Sequence, residues 1–518
     1  MYERWKRFIL CREKAFDRSK GKEVILIRAS GILMHLSSVP SPYGIGTMGQ
    51  SAREFVDFLK RAGQKYWQIL PVGQTSYGDS PYQSFSSFAG NPYFIDLDML
   101  AEEGLLLPEE YKMIDWGDNA NTVDYGLLYQ NRYPLLRLAV KRFLAGEHKE
   151  FMMFCDEQEQ WLDDYALFMT IKGMNGGASW LDWKEEERKR NYVTMEEIRT
   201  TQKDEILFWK VLQFFFYEQW NALRAYANEN GVSIIGDLPI YVALDSADIW
   251  ANPQYFQLDE ELRPVQVAGC PPDGFAEGGQ LWGNPLFDWA ALEEDNFSWC
   301  INRIGHSCRV YNVLRLDHFR GFESYYAIPY GDKDAKGGHW EKGPGDKLFL
   351  ALQKQLGKQK IIAEDLGFLT EPVREMLKNS GFPGMKVFEL GFDSRDGNGS
   401  EYLPHNFIRN CVAYTGTHDN DTIQGWFLTA PKDDVDYACA YFGIKDRRDG
   451  HWDMMKALWA TVADLTIVQA QDLFGLGSES RMNQPSTFGN NWQWRVLPGS
   501  FTEDLATQLR SYMKLYAR

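Results

Sequence analysis

Val313-Leu-Arg-Leu-Asp-His318 is a short, largely apolar run with an acidic residue at its carboxyl end. Seven other apolar runs are bounded by loop residues, and helical patterns separate several of them. Near-continuous apolar runs of this length are typical of parallel strands that are covered on both faces. The eight candidate strands are 24–34, 66–72, 232–238, 310–317, 360–366, 385–390, 411–417 and 465–473. They predict an α/β fold, a (β/α)8 TIM barrel, with a doubly wound open sheet as the alternative.

The spacing of the candidate strands is uneven and predicts insertions. The segment 75–231 is far longer than a crossover helix needs, and its apolar residues recur largely at helical spacing. It predicts a helical insertion between the second and third strands. The segment 246–300 is rich in Gly and Pro and predicts lid or rim loops. We expect an N-terminal extension over 1–23 and a single barrel domain over 24–518.

The overall composition disfavours several classes of protein. A net charge of −17 repels duplex nucleic acid and anionic membranes. The seven cysteines are scattered without a CxxC pair, so neither a disulfide framework nor a zinc knuckle is indicated. The start of the chain is too broken for a signal peptide, and no apolar run is long enough to span a membrane. We therefore expect a cytoplasmic protein without nucleic-acid or membrane partners.

One glycine-rich segment, Gly44-Ile-Gly-Thr-Met-Gly49, matches the dinucleotide-binding pattern GxGxxG. The pattern requires a strand directly before it, whereas Pro40-Ser-Pro-Tyr43 interrupts the approach here. The next candidate strand ends in Pro71-Val-Gly73 rather than in an acidic residue for the ribose. A glycine-rich loop at a barrel rim explains the same residues. Neither a Walker A lysine motif nor an HExxH motif is present, and we expect no cofactor and no metal.

Four of the apolar runs deliver acidic residues at their carboxyl ends, namely Asp237, Asp317, Glu364 and Asp419. In a barrel the carboxyl ends of all strands meet at one face, so these side chains are expected to converge. Each one alone has a structural explanation, because Asp commonly caps the helix after a strand. The set of four favours an active site instead, since Arg315 precedes Asp317 by two residues and His418 adjoins Asp419.

The chemistry that such a set supports is glycosidic-bond cleavage with retention. It needs one carboxylate nucleophile and one carboxylic acid, about 5–5.5 Å apart. Asp317 suits the nucleophile because Arg315, on the same strand face, would keep it ionised. Glu364 suits the acid/base, since its longer side chain can reach the glycosidic oxygen. Asp419 with His418 suits hydrogen bonds to sugar hydroxyls that strengthen in the transition state. These residues leave the identity of the sugar open.

Short segments along almost the whole chain carry a family resemblance. They are Ser30-Gly-Ile-Leu33, Tyr43-Gly-Ile-Gly46, Ser80-Pro-Tyr-Gln-Ser84, Gly90-Asn-Pro-Tyr93, Gly236-Asp-Leu-Pro-Ile-Tyr-Val242, Arg315-Leu-Asp-His-Phe-Arg-Gly321, Ala363-Glu-Asp-Leu-Gly367, Thr417-His-Asp-Asn-Asp421 and Arg481-Met-Asn483. Together they resemble the amylomaltase and disproportionating-enzyme family, the 4-α-glucanotransferases of glycoside hydrolase family 77. The chain departs from the family's usual pattern at His35-Leu-Ser-Ser38 and at the lid segment Phe275-Ala-Glu-Gly278.

The resemblance implies a role for each candidate site residue. Asp317 would be the nucleophile, Glu364 the acid/base and Asp419 the transition-state stabiliser. The residues that match family positions for binding substrate are Tyr82, Asp237, Trp282, Asn284, Arg315 and His418. It also implies transfer of an α-1,4-glucan segment to the 4-hydroxyl of another glucan or of glucose, by double displacement and without a cofactor.

Several alternatives stay open at this point. An α-glucan hydrolase would use the same acids and differ only in how readily water reaches the intermediate. A non-catalytic glucan-binding protein and a nicotinamide oxidoreductase are more distant alternatives. The expected partners are maltooligosaccharides and other α-1,4-glucans, with glucose as acceptor, and the expected assembly is a monomer or a weak homodimer.

Overall fold

The fold is a barrel of eight parallel strands surrounded by helices. The computed structural model describes residues 28–76, 78–272, 277–367, 369–394, 399–487 and 489–518. The barrel strands are β1 (Ala29–Leu33), β2 (Tyr66–Gln68), β3 (Ser233–Leu238), β6 (Val313–Leu316), β9 (Ile361–Ala363), β10 (Gly384–Val387), β11 (Cys411–Tyr414) and β12 (Leu465–Gln469). Seven of them lie within predicted runs, and β10 begins one residue before the run 385–390, so the predicted barrel is confirmed. The N-terminal extension over 1–23 lies outside the described residues.

The strands follow the order β10-β11-β12-β1-β2-β3-β6-β9, and all pairs in this ladder are parallel. The two outer strands of the ladder, β9 and β10, approach each other. The Ala363 N–H donates to the Pro383 carbonyl at 3.0 Å, and the Met385 N–H donates to the Asp365 carboxylate at 2.5 Å. These bonds draw the sheet into a nearly closed barrel, whose carboxyl strand ends share one face.

Helices cover the outside of the barrel and fill the connection between β2 and β3. They are α1 (Gln50–Arg61), α2 (Leu97–Glu102), α3 (Pro108–Tyr111), α4 (Tyr125–Phe143), α5 (Lys149–Glu157), α6 (Glu159–Met174), α7 (Glu185–Arg188), α8 (Tyr192–Thr201), α9 (Lys203–Glu229), α10 (Ala247–Ala251), α11 (Trp289–Glu294), α12 (Ser298–Val310), α13 (Asp346–Leu356), α14 (Glu371–Ser380), α15 (Phe388–Gly391), α16 (Ile423–Thr429), α17 (Lys432–Phe442), α18 (Gly450–Ala460), α19 (Ala470–Leu473) and α20 (Glu503–Leu515).

Short 3₁₀ helices occur at Leu36–Ser38, Pro92–Phe94, Trp180–Asp182, Pro253–Tyr255, Phe319–Phe322, Gly399–Tyr402, Pro404–Asn406 and Ser478–Ser480.

Two buried glutamines on the long helix α9 fix the loop that follows β2. The Gln213 side chain accepts from the Gly90 N–H at 2.7 Å and donates to the Gly90 carbonyl at 3.0 Å. Gln219 makes the same two-way pair with the backbone of Asp96, at 2.6 and 3.2 Å. A buried amide that satisfies both backbone groups of one residue acts like a strand partner. The segment before Gly90, which carries Tyr82, is thereby held over the barrel face.

A second sheet of four antiparallel strands stands beside the barrel, and the sequence patterns do not predict it. Its strands are β4 (Gln266–Cys270), β5 (Gln280–Pro285), β7 (Ser324–Pro329) and β8 (His339–Lys342), in the order β5-β4-β7-β8. The first two fall within 246–300, the segment whose Gly and Pro content predicts lid or rim loops. They are short, Gly269 and Gly283 interrupt their apolar pattern, and β4 pairs with β7 across a long stretch of sequence.

Candidate active site

The floor of the site is an arginine held between two carboxylates. The Arg315 guanidinium donates from one nitrogen to Asp237, at 2.6 Å, and to Asp317, at 3.0 Å. The Arg315 side chain is 4% exposed and that of Asp237 is 0% exposed. The Tyr82 hydroxyl donates to the same Asp237 oxygen at 2.7 Å. A buried ion pair with several hydrogen bonds is costly to break, so these groups are fixed relative to one another.

Glu364 lies next to Asp317 because the strands that precede them are in register. Leu316 pairs with Ala363 across β6 and β9, so the next residue of each strand is one of the two acids. The Glu364 carboxylate accepts from the His318 N–H at 2.6 Å and from the Leu366 N–H at 3.0 Å. His318 is the neighbour of Asp317 and has a φ of 47°, in the left-handed region. This turn aims its N–H at Glu364 and brings the two acids together at the end of the barrel.

The environments of the two acids differ in their counter-charge. Burial raises the pKa of Asp317, the Arg315 guanidinium lowers it, and the charges of Asp237 and Asp419 raise it again. Burial also raises the pKa of Glu364, the Arg315 guanidinium lowers it, and the charge of Asp317 raises it further. Of these two acids, only Asp317 accepts a hydrogen bond from the guanidinium, which favours the negative charge on Asp317 and the proton on Glu364. One carboxylate beside one carboxylic acid is the arrangement that general acid and nucleophilic catalysis require.

Asp419 and His418 lie on the loop after β11. One Asp419 carboxylate oxygen accepts from the Asn483 side-chain amide at 2.6 Å, and the other lies 3.3 Å from the His418 Nε2. Arg481 donates to the Asp419 carbonyl at 2.5 Å and to the Asn483 carbonyl at 2.7 Å. Burial lowers the pKa of His418, so the ring is neutral at neutral pH. The Asp419 side chain, 44% exposed, is open to a ligand.

Aromatic rings wall the site around His418. The Tyr82 ring stacks on the His418 ring, with centroids 5.2 Å apart and planes at 14°. Trp492 contacts both, at 5.8 Å from Tyr82 and 5.9 Å from His418. Tyr82 therefore links two parts of the site, since its ring contacts the Asp419 loop and its hydroxyl contacts Asp237.

The remaining two candidate residues lie on β5. The Trp282 and His318 rings are in a T-shaped contact, with centroids 4.9 Å apart and planes at 89°. This contact places Trp282 beside the turn at His318 that follows Asp317. Asn284 is buried, and its amide donates to the Val242 carbonyl at 2.8 Å and accepts from Gln83 at 3.2 Å. Asn284 thus braces the neighbour of Tyr82. Phe275 and Ala276 of the predicted lid segment lie outside the described residues.

The structure adds two neighbours of the site that the sequence analysis does not single out. Asn483 appears there only as part of a family segment, and its bond to Asp419 is visible only in the fold. Trp492 has a φ of 64°, which is uncommon for a bulky residue. A Trp after the loop-forming run Gly489-Asn-Asn491 is a weak sequence signal for such a site residue.

Two classes of feature are absent from the part of the chain that the structure describes. It contains no group of three or more His, Cys, Asp or Glu side chains arranged to hold a metal ion. No helix in these described ranges is both long and apolar enough to cross a bilayer.

Comparison with known proteins relates nearly the whole chain to one family. The family pattern described as 4-alpha-glucanotransferase matches residues 34–500. The chain is 48% identical over 487 residues to a 4-alpha-glucanotransferase of Clostridium butyricum, covering 94% of this chain and 100% of that protein. It is 45% identical over 497 residues to a 4-alpha-glucanotransferase of Thermus thermophilus, covering 94% and 98%. The amylomaltase of Streptococcus agalactiae in complex with acarbose superposes with a TM-score of 0.92 at 42% identity, over 95% and 99% of the two chains.

Proposed function

The chain belongs to the 4-α-glucanotransferase family, glycoside hydrolase family 77, and we propose that Asp317, Glu364 and Asp419 carry its reaction. The enzyme is a retaining transferase of the amylomaltase type. It transfers a segment of an α-1,4-glucan to the 4-hydroxyl of another glucan or of glucose through a covalent glycosyl–enzyme intermediate. The α-glucan hydrolase alternative is not favoured.

In the first step, the Asp317 carboxylate attacks the anomeric carbon of the donor while Glu364 protonates the leaving glycosidic oxygen. The Arg315 contact at 3.0 Å favours the ionised form of Asp317, and burial together with the charge of Asp317 favours the protonated form of Glu364. The bond from the anomeric carbon to the leaving oxygen breaks as the bond to Asp317 forms. The single observation that carries this assignment is the register of β6 and β9, which makes these two acids neighbours.

In the second step, Glu364 is a base and removes the proton from the 4-hydroxyl of the acceptor. The resulting oxygen attacks the anomeric carbon, and Asp317 leaves as a carboxylate. Asp419 and His418 hydrogen-bond hydroxyls of the reacting sugar, more strongly as the ring flattens toward an oxocarbenium ion. The amide of Asn483 at 2.6 Å fixes the direction of the Asp419 carboxylate for this role.

The proposed substrates are maltooligosaccharides and longer α-1,4-glucans as donors, and these glucans or glucose as acceptors. The rings of Tyr82 and Trp492 supply apolar faces beside the polar groups of Asp237 and Asp419, a combination that suits sugar rings. Trp282, whose ring contacts that of His318, is proposed to contact the substrate at the rim. An acidic protein with net charge −17 does not repel these neutral substrates.

We also propose that residues 24–518 form a single catalytic domain, with insertions at 75–231 and 246–300 that bring Tyr82 and Trp282 to the rim. One continuous hydrophobic core, with members from Ala29 to Met513, supports this. A cytoplasmic location and a monomer or weak homodimer are proposed as well. The thiols of Cys155, Cys300, Cys308, Cys411 and Cys439 are free, which fits a reducing compartment.

Two measurements test the proposal. Incubation of the pure protein with maltotriose should give glucose and a ladder of longer maltodextrins, whereas shorter products alone would indicate a hydrolase. The variant E364Q with an α-maltosyl fluoride donor should accumulate a covalent adduct, because fluoride leaves without protonation and the second step lacks its base. Peptide mass spectrometry should find the adduct on Asp317, and D317N should form none. An adduct on another residue would overturn the assignment.

A further inference from the structure

The loop that carries His418 and Asp419 is held at both of its ends by one buried carboxylate. The loop runs from the end of β11 at Tyr414 to the start of α16 at Ile423. Asp472 on α19 accepts from the Thr415 hydroxyl at 2.9 Å and from the Ile423 N–H at 2.8 Å. Asp472 is 1% exposed. Its two oxygens therefore bridge the first residue after β11 and the first residue of α16.

Other contacts from the same side leave the loop little room to move. The side-chain amide of Gln469, at the end of β12, donates to the Asp421 carbonyl at 3.0 Å. A Cβ added at Gly416 would lie 2.7 Å from the Gln469 amide and 3.2 Å from a Glu389 carboxylate oxygen. The chain at Gly416 is thus packed directly against buried polar side chains, and the loop position depends on them.

Asp472 is too deep to meet a substrate, yet it fixes the backbone on which Asp419 stands. If Asp472 is truncated, the Thr415 hydroxyl and the Ile423 N–H lose their acceptor while they remain buried. Unpaired buried donors are costly, so the loop would shift to pair them elsewhere. Because Asp419 lies between the two anchored ends, such a shift would displace its carboxylate.

We propose that Asp472 is a positioning residue for the reaction, which acts by holding the loop of His418 and Asp419 at both ends. The proposal rests on the proposed role of Asp419 in stabilising the transition state. Its effect should fall on kcat more than on KM, because the Asp419 bond to the sugar strengthens only as the ring distorts. A displacement of about 1 Å at a reacting group costs up to about 10²-fold in rate.

The test compares D472A and D472N with a matched control, D96A. Asp96 is 4% exposed and has the same kinds of partner, since it accepts from the Thr47 hydroxyl at 2.6 Å and the Met99 N–H at 3.0 Å. D472A should lower kcat on maltotriose by about 10- to 100-fold with little change in KM. D472N should restore most of kcat, because its amide oxygen accepts from Ile423 and its amide nitrogen donates to the Thr415 oxygen. D96A should lower the melting temperature and leave kcat unchanged for the folded fraction.

The outcomes are distinct. Equal kcat values in D472A and D96A, or a loss in D472A confined to KM, would overturn the positioning role. If D472A does not fold, T415V replaces it, since it removes only one of the two bonds. T415V should then give a smaller loss of kcat at unchanged KM, and an unchanged kcat would overturn the proposal. Failure of the proposed function would show in the unmodified enzyme, as an absence of longer maltodextrins from maltotriose.

Discussion

Replacement of Arg315 by Met should move the acid limb of the pH–activity profile to higher pH. In the proposed mechanism Asp317 attacks only as a carboxylate, so this limb reports the pKa of Asp317 in the free enzyme when kcat/KM is plotted. The guanidinium that lies 3.0 Å from Asp317 lowers that pKa. An opposite charge at this range lowers a carboxyl pKa by about 1–3 units. R315M should therefore move the midpoint of the limb up by about one to three pH units.

The replacement D237N should move the same limb in the opposite direction. The charge of Asp237 raises the pKa of Asp317, and its removal leaves Arg315 with Asp317 as its only charged hydrogen-bond partner among the contacts described. The midpoint of the limb should fall. The pair of variants is informative because both disturb the same buried ion pair, and loss of one partner of such a pair costs about 3–5 kcal/mol of stability in each case. A nonspecific loss of structure cannot produce shifts of opposite sign.

The assay is the initial rate of glucose release from maltotriose across the acid, neutral and alkaline range, with thermal melting at each pH to count only folded enzyme. R132M is the matched control, because Arg132 is fully buried and its hydrogen-bond acceptors within the described part of the chain are the carbonyls of Tyr93 and Ile95. It should lower the melting temperature and leave the limb in place. An unmoved limb in R315M, or a movement to lower pH, would refute the view that Arg315 sets the charge of Asp317.

Three further outcomes are expected. E364Q should lower kcat on maltotriose by about 10²- to 10⁴-fold. An α-glycosyl fluoride should restore formation of the covalent intermediate, because fluoride leaves without a proton. If stopped-flow measurements show no release of fluoride by E364Q, the acid role is contradicted. N483A should lower kcat by about 10- to 100-fold, because the Asn483 amide holds the Asp419 carboxylate and a hydrogen bond to a charged group contributes about 1.5–3 kcal/mol. A change in KM without a change in kcat would contradict this role of Asn483. G31A should lower the free energy of unfolding by about 1–3 kcal/mol, because its Cβ would lie 2.6 Å from the Tyr66 carbonyl; urea denaturation measures this, and no change would show that the barrel relaxes there.

The barrel and its acids could be predicted because both depend on local patterns. Each buried parallel strand needs an apolar run, and the acids follow those runs directly, as Asp317 follows Val313–Leu316. The antiparallel sheet could not be predicted in the same way. Its strand β4 pairs with β7, more than fifty residues later in the chain. The residues of the two segments do not indicate that they pair with each other. Short strands of mixed polarity interrupted by glycine give no period to detect.

The site shows the same division between local and distant determinants. Arg315 and Asp317 are separated by two residues, so strand geometry alone predicts that they share a face. Asn483 bonds to Asp419 from 64 residues away, and Trp492 reaches Tyr82 through a chain bend with positive φ. Such contacts follow from how loops return over the barrel, which the spacing of residues does not encode. Asn284, predicted to bind substrate, has both its amide groups occupied by Val242 and Gln83, which favours support of the site over direct contact.

The proposed division of roles between Asp317 and Glu364 follows from strand register. Asp237 pairs with Arg315 across β3 and β6, so these two residues lie at the same level of the barrel. Asp317 follows Arg315 by two residues in the chain. On the other side of β6, Ala363 pairs with Leu316, and Glu364 therefore stands level with Asp317 but beyond contact with the cation. Two carboxyls at one depth, with a fixed cation in contact with only one of them, cannot share a proton equally. In the proposed mechanism, the barrel thus assigns the roles of nucleophile and acid by placing Asp237, the second carboxylate that Arg315 contacts, on β3.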